Sequence, residues 1–404
     1  MTSPSVIVVG AGVAGLSTAL NIHPSIHVTV LSKGALTDGA TPLAQGGIAM
    51  PVGPNDSVAI HVADTVAACH ATNNAEVAQA IIEDAETALN DLLEIGFSPD
   101  KNADGTLNLG LEGGHSVHRI VHAKDATGKH LHDVLLANAA QKSRIEMLPN
   151  HKVQKLTVSA NTVTGVEVIE ARNGTVTTLY ADCVVLATGG IGALYDHTTN
   201  PPSATADGIH LAQQVQARTQ HLDWIQWHPT ALAVQGGARK VDDNSPMPLI
   251  TEALRGVGAV LVDVHGNEVV PRSLHPLGSL APRDVVTRAC LESMERTHHH
   301  CVYLDAGAIP RTVFENEFPG VVRTCINHGV DPFVDRIPVA PAVHYLCGGI
   351  ETNLVGKTTV EGLYAVGECA DTGFHGNNRL ASNSLLEGLV MGKRCGMHIS
   401  GSFS

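Results

Sequence analysis

Short apolar runs separated by polar, glycine-rich segments open the chain. Val6–Val9 is an apolar run that ends at Gly10, and Val28–Leu31 is a second, mostly apolar run. Runs of this length are typical of parallel strands that are buried on both faces. The residues between them, Ala14–Asn21, have the apolar spacing of a helix. The pattern therefore predicts that the chain begins with a βαβ unit.

The same two periodicities predict further elements along the chain. Gly34–Pro54 is rich in Gly, Pro and Thr and is predicted to be a long loop, and such loops usually carry function. The other predicted elements are, in chain order, helices at Ala75–Leu93 and Ala123–Ala140, strands at Cys183–Ala187 and Leu363–Val366, and a final helix at Ser384–Ile399.

Alternating apolar residues predict an antiparallel meander near the middle of the chain. Its strands are Val153–Val158, Val163–Ile169 and Thr175–Tyr180, with turns at Asn161 and at Asn173-Gly174. Residues 224–343 contain more Pro, His and charge and show no βαβ rhythm. We interpret them as an inserted domain, which leaves 1–223 and 344–404 as two parts of one nucleotide-binding domain.

Charge and cysteine content narrow the class of protein. The net charge of −14 argues against a nucleic acid or an anionic membrane as partner, because both require clustered Lys and Arg. The eight cysteines form no Cys-x-x-Cys pair, which is typical of free thiols in a reducing compartment. We find no signal peptide and no apolar run long enough to span a bilayer, so we expect a cytoplasmic protein.

Three glycines directly after the first strand predict a dinucleotide site. Gly10, Gly12 and Gly15 form Gly-x-Gly-x-x-Gly at the start of the first helix. Glycines in this context allow a tight turn and the close approach of a pyrophosphate to the helix N-terminus. The alternative is a glycine-rich turn that binds no ligand.

The residues after the second strand argue against NAD. The acid that usually binds the NAD ribose is missing there, and the sequence is Leu31-Ser32-Lys33-Gly34. Ser32 and Lys33 could instead bind a ribose or a phosphate, or Lys33 could be a solvated loop residue.

Two further strand ends favour FAD. Ala187-Thr188-Gly189-Gly190 and Val366-Gly367-Glu368 place glycines where ligands gather in doubly wound sheets. Glu368 could accept a hydrogen bond from a ribitol hydroxyl, or be an exposed acid in a turn. The helix that Asn383-Ser384-Leu385 opens could direct its N-terminus at the flavin, although Ser384 could equally be a plain N-cap.

At this point seven motifs, in order along the chain, carry a family resemblance. They are Ala44-Gln45-Gly46-Gly47-Ile48-Ala49, Glu112-Gly113-Gly114-His115-Ser116, Gln226-Trp227-His228-Pro229-Thr230, Thr251-Glu252-Ala253-Leu254-Arg255-Gly256, Leu280-Ala281-Pro282-Arg283-Asp284, His344-Tyr345 and Asn378-Arg379-Leu380-Ala381-Ser382-Asn383-Ser384-Leu385. The set resembles the flavoprotein family of succinate dehydrogenase and fumarate reductase, and within it the branch that oxidises L-aspartate.

The resemblance implies an α/β fold. We expect a Rossmann-like FAD-binding domain, made of a parallel sheet and an antiparallel meander, with residues 224–343 as an α+β capping domain. Family members usually continue into a helical C-terminal domain. This sequence ends at Ser404, and we expect that helical domain to be absent.

The resemblance also implies that FAD is bound noncovalently. Family members with covalent flavin carry a His a few residues before the Ala-Gln-Gly-Gly, and Ala40 stands at that position here. The residues expected to bind the cofactor are Gly10, Ala11, Gly12, Val13, Ala14, Gly15, Ser32, Lys33, Ala40, Thr41, Ala44, Gln45, Gly46, Gly47, Val153, Ala187, Thr188, Gly189, Asp207, Glu368, Ser382, Ser384 and Leu385.

The substrate implied by the resemblance is a four-carbon dicarboxylate. The residues expected to bind its carboxylates are His228, Thr251, His344 and Arg379, with Gln226 and Arg255 as neighbours. Arg283 would transfer a proton at C3, with Glu252 and Asp284 as relay or orienting groups, and Glu112 would face the amino group. Taken singly, Arg283 and Arg379 would be interpreted as surface ion pairs, and His228 as a turn residue.

Three functions remain open on the sequence alone. The first is oxidation of L-aspartate to iminoaspartate, the first step of NAD synthesis from aspartate, with dioxygen or fumarate reoxidising the flavin. The second is a soluble fumarate reductase or dicarboxylate dehydrogenase, and the third is a flavin-binding assembly component without turnover. The first would make quinolinate synthase a partner. The chain itself is expected to be a monomer or small homo-oligomer.

Two groups of histidines could be mistaken for a metal site. His298-His299-His300 lacks the spacing that a helical metal site needs, and we expect a helix end or a solvated loop. His115, His118 and His122 lack an accompanying Cys or acid cluster, so we expect hydrogen bonds and no bound metal.

Overall fold

The computed structural model describes residues 4–233 and 246–403. Residues 234–245 of the predicted inserted domain therefore lie outside the described residues. Within the described ranges, no helix combines the length and the apolar character needed to cross a bilayer.

The strands and helices are numbered in chain order. The strands are β1 Ser5–Val9, β2 His27–Leu31, β3 Ile48–Ala49, β4 Leu109–Gly110, β5 Ile120–Val121, β6 Ile145–Leu148, β7 His151–Ser159, β8 Thr162–Glu170, β9 Val176–Tyr180, β10 Cys183–Leu186, β11 Thr219–Gln220, β12 Ile225–Leu232, β13 Val260–Val262, β14 Val302–Asp305, β15 Ile337–Leu346, β16 Gly349–Glu351, β17 Leu363–Ala365 and β18 Ala370–Asp371. The helices are α1 Val13–Asn21, α2 Val58–Ala68, α3 Ala75–Glu83, α4 Ala85–Glu94, α5 Thr127–Ala140, α6 Asp207–Gln214, α7 Ala253–Gly256, α8 Arg283–Thr297, α9 Arg311–Glu317, α10 Pro319–Asn327 and α11 Asn383–Ser402.

A parallel sheet organises the first core. Its strand order is β17-β10-β1-β2-β6, and every pairing in it is parallel. The predicted βαβ opening is confirmed, because α1 connects β1 to the neighbouring β2. Helix α11 packs closely on α1, since a Cβ on Gly392 would lie 2.7 Å from the Ala14 carbonyl oxygen. The ends of the chain thus meet on one face of the sheet.

The predicted antiparallel meander is confirmed. Strands β7, β8 and β9 pair in that order, and both pairings are antiparallel. The turn between β7 and β8 places Asn161 at φ 65°, a left-handed conformation that Asn tolerates well. Leu156, Val166 and Val168 of the meander pack with residues of β10 and β17 in a second hydrophobic core.

A second, antiparallel sheet has its own core. The strand order is β12-β15-β14-β13, and the core residues come from positions between Leu232 and Val339. Helix α8 packs on β12, which places Arg283 at the helix start beside the motif residues of the strand. Strand β15 runs from this sheet through the predicted boundary at residue 343 to Leu346.

Two predicted helices differ from the observed ones. Ala75–Leu93 is interrupted at Asp84, whose ψ is −1° and whose carboxylate accepts from Arg394 Nε at 2.8 Å. The helix predicted from Ala123 begins only at Thr127, because Lys124 is left-handed and Thr127 Oγ1 accepts from Ala123 N. Both interruptions come from side-chain contacts and local backbone conformation, which apolar spacing does not encode.

Candidate active site

A cavity of about 470 Å³ opens at the carboxyl ends of β1, β2, β10 and β17. Ligands bind at this end of the strands in doubly wound sheets. Most of the predicted cofactor residues line the cavity, namely Gly10, Ala11, Gly12, Val13, Ala14, Ser32, Lys33, Ala40, Thr41, Ala44, Gln45, Val153, Ala187, Thr188, Gly189, Asp207, Glu368, Ser384 and Leu385.

Four predicted cofactor residues are not among those that line the cavity: Gly15, Gly46, Gly47 and Ser382. Gly15 instead lets the helix approach the first strand, since its Cβ would lie 2.0 Å from the Gly10 carbonyl oxygen. Gly47 N donates to Ser382 Oγ at 3.2 Å. Ser382 is also the N-cap of α11, so Ser384 lies within the helix and is not its cap.

Lys33 and Glu368 are both held by contacts at the cavity. Lys33 Nζ donates to the carboxylate of Asp207 and, at 2.6 Å, to Thr205 Oγ1, so Lys33 is not a freely solvated residue. Glu368 Oε1 accepts from Leu346 N at 3.0 Å. Burial raises the pKa of Glu368 to about 7. Its carboxyl can therefore be a hydrogen-bond donor or an acceptor near neutral pH.

Glu252 is the centre of a buried ionic group that we call the Arg283 cluster: Arg283, Glu252, Arg255, His228 and Gln226. Arg283 Nε donates to Glu252 Oε1 at 2.7 Å, and Arg255 Nη2 lies 3.1 Å from the same oxygen. Arg283 Nη1 donates to Gln226 Oε1 at 2.8 Å. Although burial raises the pKa of Glu252, Arg283 and Arg255 together lower it to about 2. Glu252 is therefore ionised at any physiological pH.

Arg283 and Arg379 are not surface ion pairs and His228 is not a turn residue, so that alternative interpretation is wrong. Arg283 is 7% and Arg379 3% exposed, and His228 is 1% exposed on strand β12. Burial places their charges and hydrogen-bonding groups where water competes little, which strengthens their interaction with an anion.

The two predicted histidines of the site are close together and uncharged. The ring centroids of His228 and His344 are 5.0 Å apart. Thr230 N donates to His228 Nδ1 at 3.2 Å, so the ring proton is on Nε2, 3.4 Å from Glu252 Oε1. Burial, and then the positive charge of Arg283, keep the pKa of both histidines well below the usual range.

Arg379 connects the cluster to the cavity, which it lines together with His344 and Tyr345. Its guanidinium carbon lies 4.3 Å from the centre of the Tyr345 ring, a cation–π contact. Its carbonyl oxygen accepts from Gln226 Nε2 at 2.7 Å. Burial, and then repulsion by Arg283, lower the pKa of Arg379 to about 10, so it remains charged at neutral pH.

Glu112 lies beside this cluster and is buried without a basic hydrogen-bond partner among the described residues. Its Oε2 accepts from Ser382 Oγ, and a Cβ on Gly46 would lie 2.3 Å from its Oε1. Burial, and then the charge of Glu252, raise the pKa of Glu112. A carboxylate in this state gains from pairing with a cation that enters the site.

Asp284 does not contact the guanidinium of Arg283 through any described hydrogen bond. Its oxygens accept from Asn378 Nδ2 at 2.8 Å and pair with His70 Nε2 at 2.8 Å. Asp284 therefore supports the segment that contains Asn378.

Thr251 is buried, and its Oγ1 accepts from Ala253 N at 3.3 Å at the start of α7.

Sequence reasoning missed several residues of the site. Thr199 Oγ1 lies 2.7 Å from His344 Nδ1, and Asn378 Oδ1 accepts from Gln226 Nε2 at 2.8 Å. Tyr345 and Asn378 lie within two of the seven family motifs, so motif membership could have identified both residues. Thr199 lies between the predicted elements and no pattern points to it.

The two histidine groups lie in the surroundings that the sequence predicts, a helix end and hydrogen-bonded positions. His298 ends α8 in a left-handed conformation, and His298, His299 and His300 are exposed. His115 Nε2 lies 3.0 Å from the Ala381 carbonyl oxygen, and His118 Nδ1 lies 2.9 Å from the Leu109 carbonyl oxygen. These contacts confirm the predicted hydrogen bonds.

Known proteins share both the sequence and the fold. Residues 5–385 match the family model described as FAD binding domain. The L-aspartate oxidase of Bacillus subtilis (strain 168) is 41% identical over 400 residues, which cover 99% of this chain and 72% of that protein. The L-aspartate oxidase of Mycobacterium tuberculosis (strain ATCC 25618 / H37Rv) is 45% identical over 396 residues, covering 97% and 72%. The chain belongs to the L-aspartate oxidase family.

Structural similarity connects this L-aspartate oxidase family member to fumarate reductases. The FrdA chain of an E. coli quinol fumarate reductase mutant superimposes with a TM-score of 0.91 at 30% identity, covering 100% of this chain and 70% of that one. The predicted membership of the succinate dehydrogenase and fumarate reductase flavoprotein family is thereby confirmed, and FAD is the cofactor.

The cavity of this L-aspartate oxidase family member fits the dinucleotide. Within the described part of the chain, the buried atoms Gln45 Oε1, Thr188 Oγ1 and Arg379 Nε have no hydrogen-bond partner, and all three residues line the cavity. Buried polar atoms normally have partners, so these atoms indicate a polar ligand. At the other end, Gly12 has no side chain between the N-terminus of α1 and the cavity, as a pyrophosphate requires.

Proposed function

We propose that the chain oxidises L-aspartate to iminoaspartate with bound FAD. The observation that carries this proposal is the charge of the buried site. Arg255, Arg283 and Arg379 contribute three positive charges and Glu252 one negative charge, which leaves two positive charges. A four-carbon dicarboxylate supplies the two negative charges that balance them. Glu112 supplies a separate carboxylate for a positive amino group.

Two pairs of residues bind the carboxylates in this proposal. Arg379 and His344, which line the cavity, bind one carboxylate. His228 and Thr251, which are buried, bind the other. The neutral histidines donate hydrogen bonds from their ring N–H groups, and Arg379 adds its charge.

Arg283 transfers the proton at C3 of the substrate. In aspartate oxidation, loss of hydride from C2 and of this proton from C3 gives aminofumarate, the enamine form of iminoaspartate, and return of a proton to C3 gives the imine. Arg283 Nη1 donates to Gln226 Oε1 at 2.8 Å, and its Nε donates to Glu252 Oε1 at 2.7 Å. These two contacts fix the orientation of the guanidinium and therefore the direction of its remaining nitrogen, Nη2. Glu252, ionised and 1% exposed at its side chain, orients the Arg283 guanidinium through its contact with Nε. Bound FAD would supply the hydride acceptor for C2, and dioxygen or fumarate would then take up the electrons.

Glu112 distinguishes aspartate from dicarboxylates without an amine. Its carboxylate is buried and pairs with the substrate ammonium, which offsets the cost of its burial. Succinate would place a methylene group there and leave the carboxylate without a partner.

Several wider aspects of the function belong to the same proposal. FAD is held noncovalently, because Ala40 lines the cavity where a flavin-attaching His would be needed. Residues 224–343 cap the substrate, and the chain acts in the cytoplasm as a monomer or small homo-oligomer. Iminoaspartate hydrolyses readily in water, so transfer to a quinolinate synthase is favoured over free diffusion.

Anaerobic addition of L-aspartate to the flavin-loaded protein tests the proposal. We expect loss of the visible absorption of oxidised flavin, followed by release of ammonia as the imine hydrolyses. Addition of succinate is the control and should bleach the flavin far more slowly. Bleaching by succinate and none by aspartate would contradict the proposal.

Fumarate reductase activity is the second candidate. The structural similarity to a fumarate reductase favours it, and the Arg283 cluster of this chain could serve either reaction. The two activities are compatible, because fumarate reduction is the reverse hydride transfer with proton donation by Arg283. Glu112→Gln separates them: fumarate reduction should survive while aspartate oxidation falls. A protein that only reduces fumarate would show neither bleaching by aspartate nor an effect of this substitution.

A further inference from the structure

Ser382 joins the last helix to the loop that contains Gly47. It has φ 61° and lies directly before α11. Its carbonyl oxygen accepts from Ala49 N at 3.1 Å, and its Oγ accepts from Gly47 N at 3.2 Å. The left-handed backbone conformation thus lets both the main chain and the side chain of Ser382 bind the same loop. This position is costly for a non-glycine residue, which indicates that the side chain is used.

The hydroxyl of Ser382 has one hydrogen, and that hydrogen goes to Glu112. Oγ already accepts from Gly47 N, and it donates to Glu112 Oε2. A hydroxyl bond to an ionised carboxylate is short and about twice as strong as a bond between neutral groups. Ser382 is therefore the residue through which the loop fixes the Glu112 carboxyl group.

Two further contacts hold the Glu112 segment on the same turn. His115 Nε2 lies 3.0 Å from the carbonyl oxygen of Ala381, the residue before Ser382. A Cβ on Gly46 would lie 2.3 Å from Glu112 Oε1 and 3.3 Å from Ser382 Oγ. The carboxyl group therefore fills the space beside Gly46 and has little room to move.

We propose that Ser382 is a specificity-determining positioning residue, whose hydroxyl holds the Glu112 carboxylate where it accepts the ammonium of an amino-dicarboxylate. Ser382 acts through Glu112, because its hydroxyl hydrogen is donated to that carboxylate. This inference rests on the proposed function of Glu112. It predicts that the choice between aspartate and fumarate depends on a hydroxyl that touches neither.

The charges around Glu112 give the hydroxyl a measurable role. Burial and then Glu252 raise the pKa of Glu112, whereas the Ser382 hydroxyl, Arg283 and Arg379 lower it. Removing the hydroxyl should raise the pKa further. Because only the ionised carboxylate pairs with an ammonium, the acid limb of kcat/KM for aspartate should move to higher pH. Fumarate has no amine, so its acid limb should not follow.

The variants are Ser382→Ala and Ser382→Gly, with Ser116→Ala as matched control. Glycine adopts φ 61° without strain, so Ser382→Gly removes the hydroxyl even if Ser382→Ala fails to fold. Ser116 lies four residues from Glu112, and its Oγ donates to Asp64 Oδ2 at 2.8 Å. The control therefore also removes a hydrogen bond from a hydroxyl to a carboxylate. We expect the ratio of kcat/KM for aspartate to that for fumarate to fall about tenfold in both Ser382 variants and to hold in the control.

A second readout does not depend on turnover. The carboxyl group of Glu112 can be followed by infrared difference titration, with its band assigned by loss in Glu112→Gln. We expect a higher midpoint in Ser382→Gly than in the unsubstituted protein. An equal loss of aspartate and fumarate activity, or an unchanged infrared midpoint in a protein that oxidises aspartate, would overturn the inference. Absence of aspartate oxidation in the unsubstituted protein would instead overturn the proposed function.

Discussion

Two buried glutamates, Glu252 and Glu112, lie on touching segments of the site, and yet their pKa values are shifted in opposite directions. Gly113 N, next to Glu112, donates to Glu252 Oε2 at 3.3 Å. Glu252 is held by Arg283 and Arg255, and its pKa is about 2. Glu112 receives one hydroxyl bond, and its pKa is raised. The difference shows that burial alone does not set the charge of a carboxyl group, because its partners decide whether the cost of burial is offset.

This difference gives the two glutamates different tasks. Glu252 is a permanent charge that orients cations already present in the protein. Glu112 is a carboxylate that gains its cation only when the substrate arrives. An enzyme that must bind two carboxylates and one ammonium needs both kinds of group within one site.

Removing Arg283 should have the largest effect on activity. Arg283→Met deletes the proposed proton donor and one of the cations around Glu252. We expect kcat for both aspartate oxidation and fumarate reduction to fall by about 10³-fold or more, since proton transfer by a positioned group contributes about 10²–10⁴. Steady-state assays of the flavin-loaded variant measure this. An active Arg283→Met variant would mean that another residue transfers the proton.

Replacing each glutamate by glutamine should change stability unequally. Glu252→Gln leaves Arg283 and Arg255 without their buried counter-charge, and removing one partner of a buried ion pair costs about 3–5 kcal/mol. Glu112→Gln removes a carboxylate that has no basic hydrogen-bond partner among the described residues, so the change should be small or stabilising in the absence of substrate. Urea unfolding of the two variants tests this. Equal losses would show that the two carboxyl groups have equivalent surroundings.

The two glutamates should contribute to the pH dependence of stability with opposite signs. The folded pKa of Glu252, about 2, lies below the unfolded value, so its contribution is present above the unfolded pKa and is lost as pH falls from about 5 toward 2. The raised pKa of Glu112 has the opposite sign, so its contribution is present at low pH and is lost as pH rises through the folded pKa.

The two variants provide the matched controls for this pH dependence. The stability difference between the unsubstituted protein and Glu252→Gln should shrink on acidification. The difference from Glu112→Gln should move in favour of the unsubstituted protein over the same range. Parallel curves for the two variants would contradict the opposite directions of the two pKa shifts.

The smallest expected effect concerns the support of Arg379. Tyr345 OH lies 3.3 Å from His375 Nε2 and 3.5 Å from Glu387 Oε2, and its ring lies under the Arg379 guanidinium. Tyr345→Phe keeps the ring and removes these polar contacts, so we expect KM for aspartate to rise about threefold with little change in kcat. A larger loss in Tyr345→Phe than in Tyr345→Leu would contradict a role for the ring.

Much of the fold and the location of the site could be predicted from the sequence. The periodicity of Val6–Val9 and Val28–Leu31 predicted the parallel sheet, and the position of Gly10 predicted which strand ends meet the cofactor. These features are local, since a strand or a tight turn is encoded by adjacent residues. The break at Asp84 depends on Arg394, some 300 residues away in sequence, and no local pattern could predict it.

The finer chemistry of the site could not be predicted for the same reason. Motif membership pointed to Glu112, Glu252 and Arg283 but not to which of them touch. The contact of Ser382 with Glu112 joins positions 270 residues apart, and the support of His344 by Thr199 joins positions 145 apart. The pKa of a carboxyl group follows from such contacts and from burial, so the opposite pKa shifts of the two glutamates could be found only from the structure.

Single-turnover reduction of the flavin tests the central claim most directly. The rates of anaerobic reduction by L-aspartate and by succinate would be measured for the unsubstituted protein and for Glu112→Gln. We expect the unsubstituted protein to prefer aspartate strongly, and Glu112→Gln to lose this preference because its rate with aspartate falls. An aspartate preference that persists undiminished in Glu112→Gln would contradict the assignment of that carboxylate to the substrate ammonium.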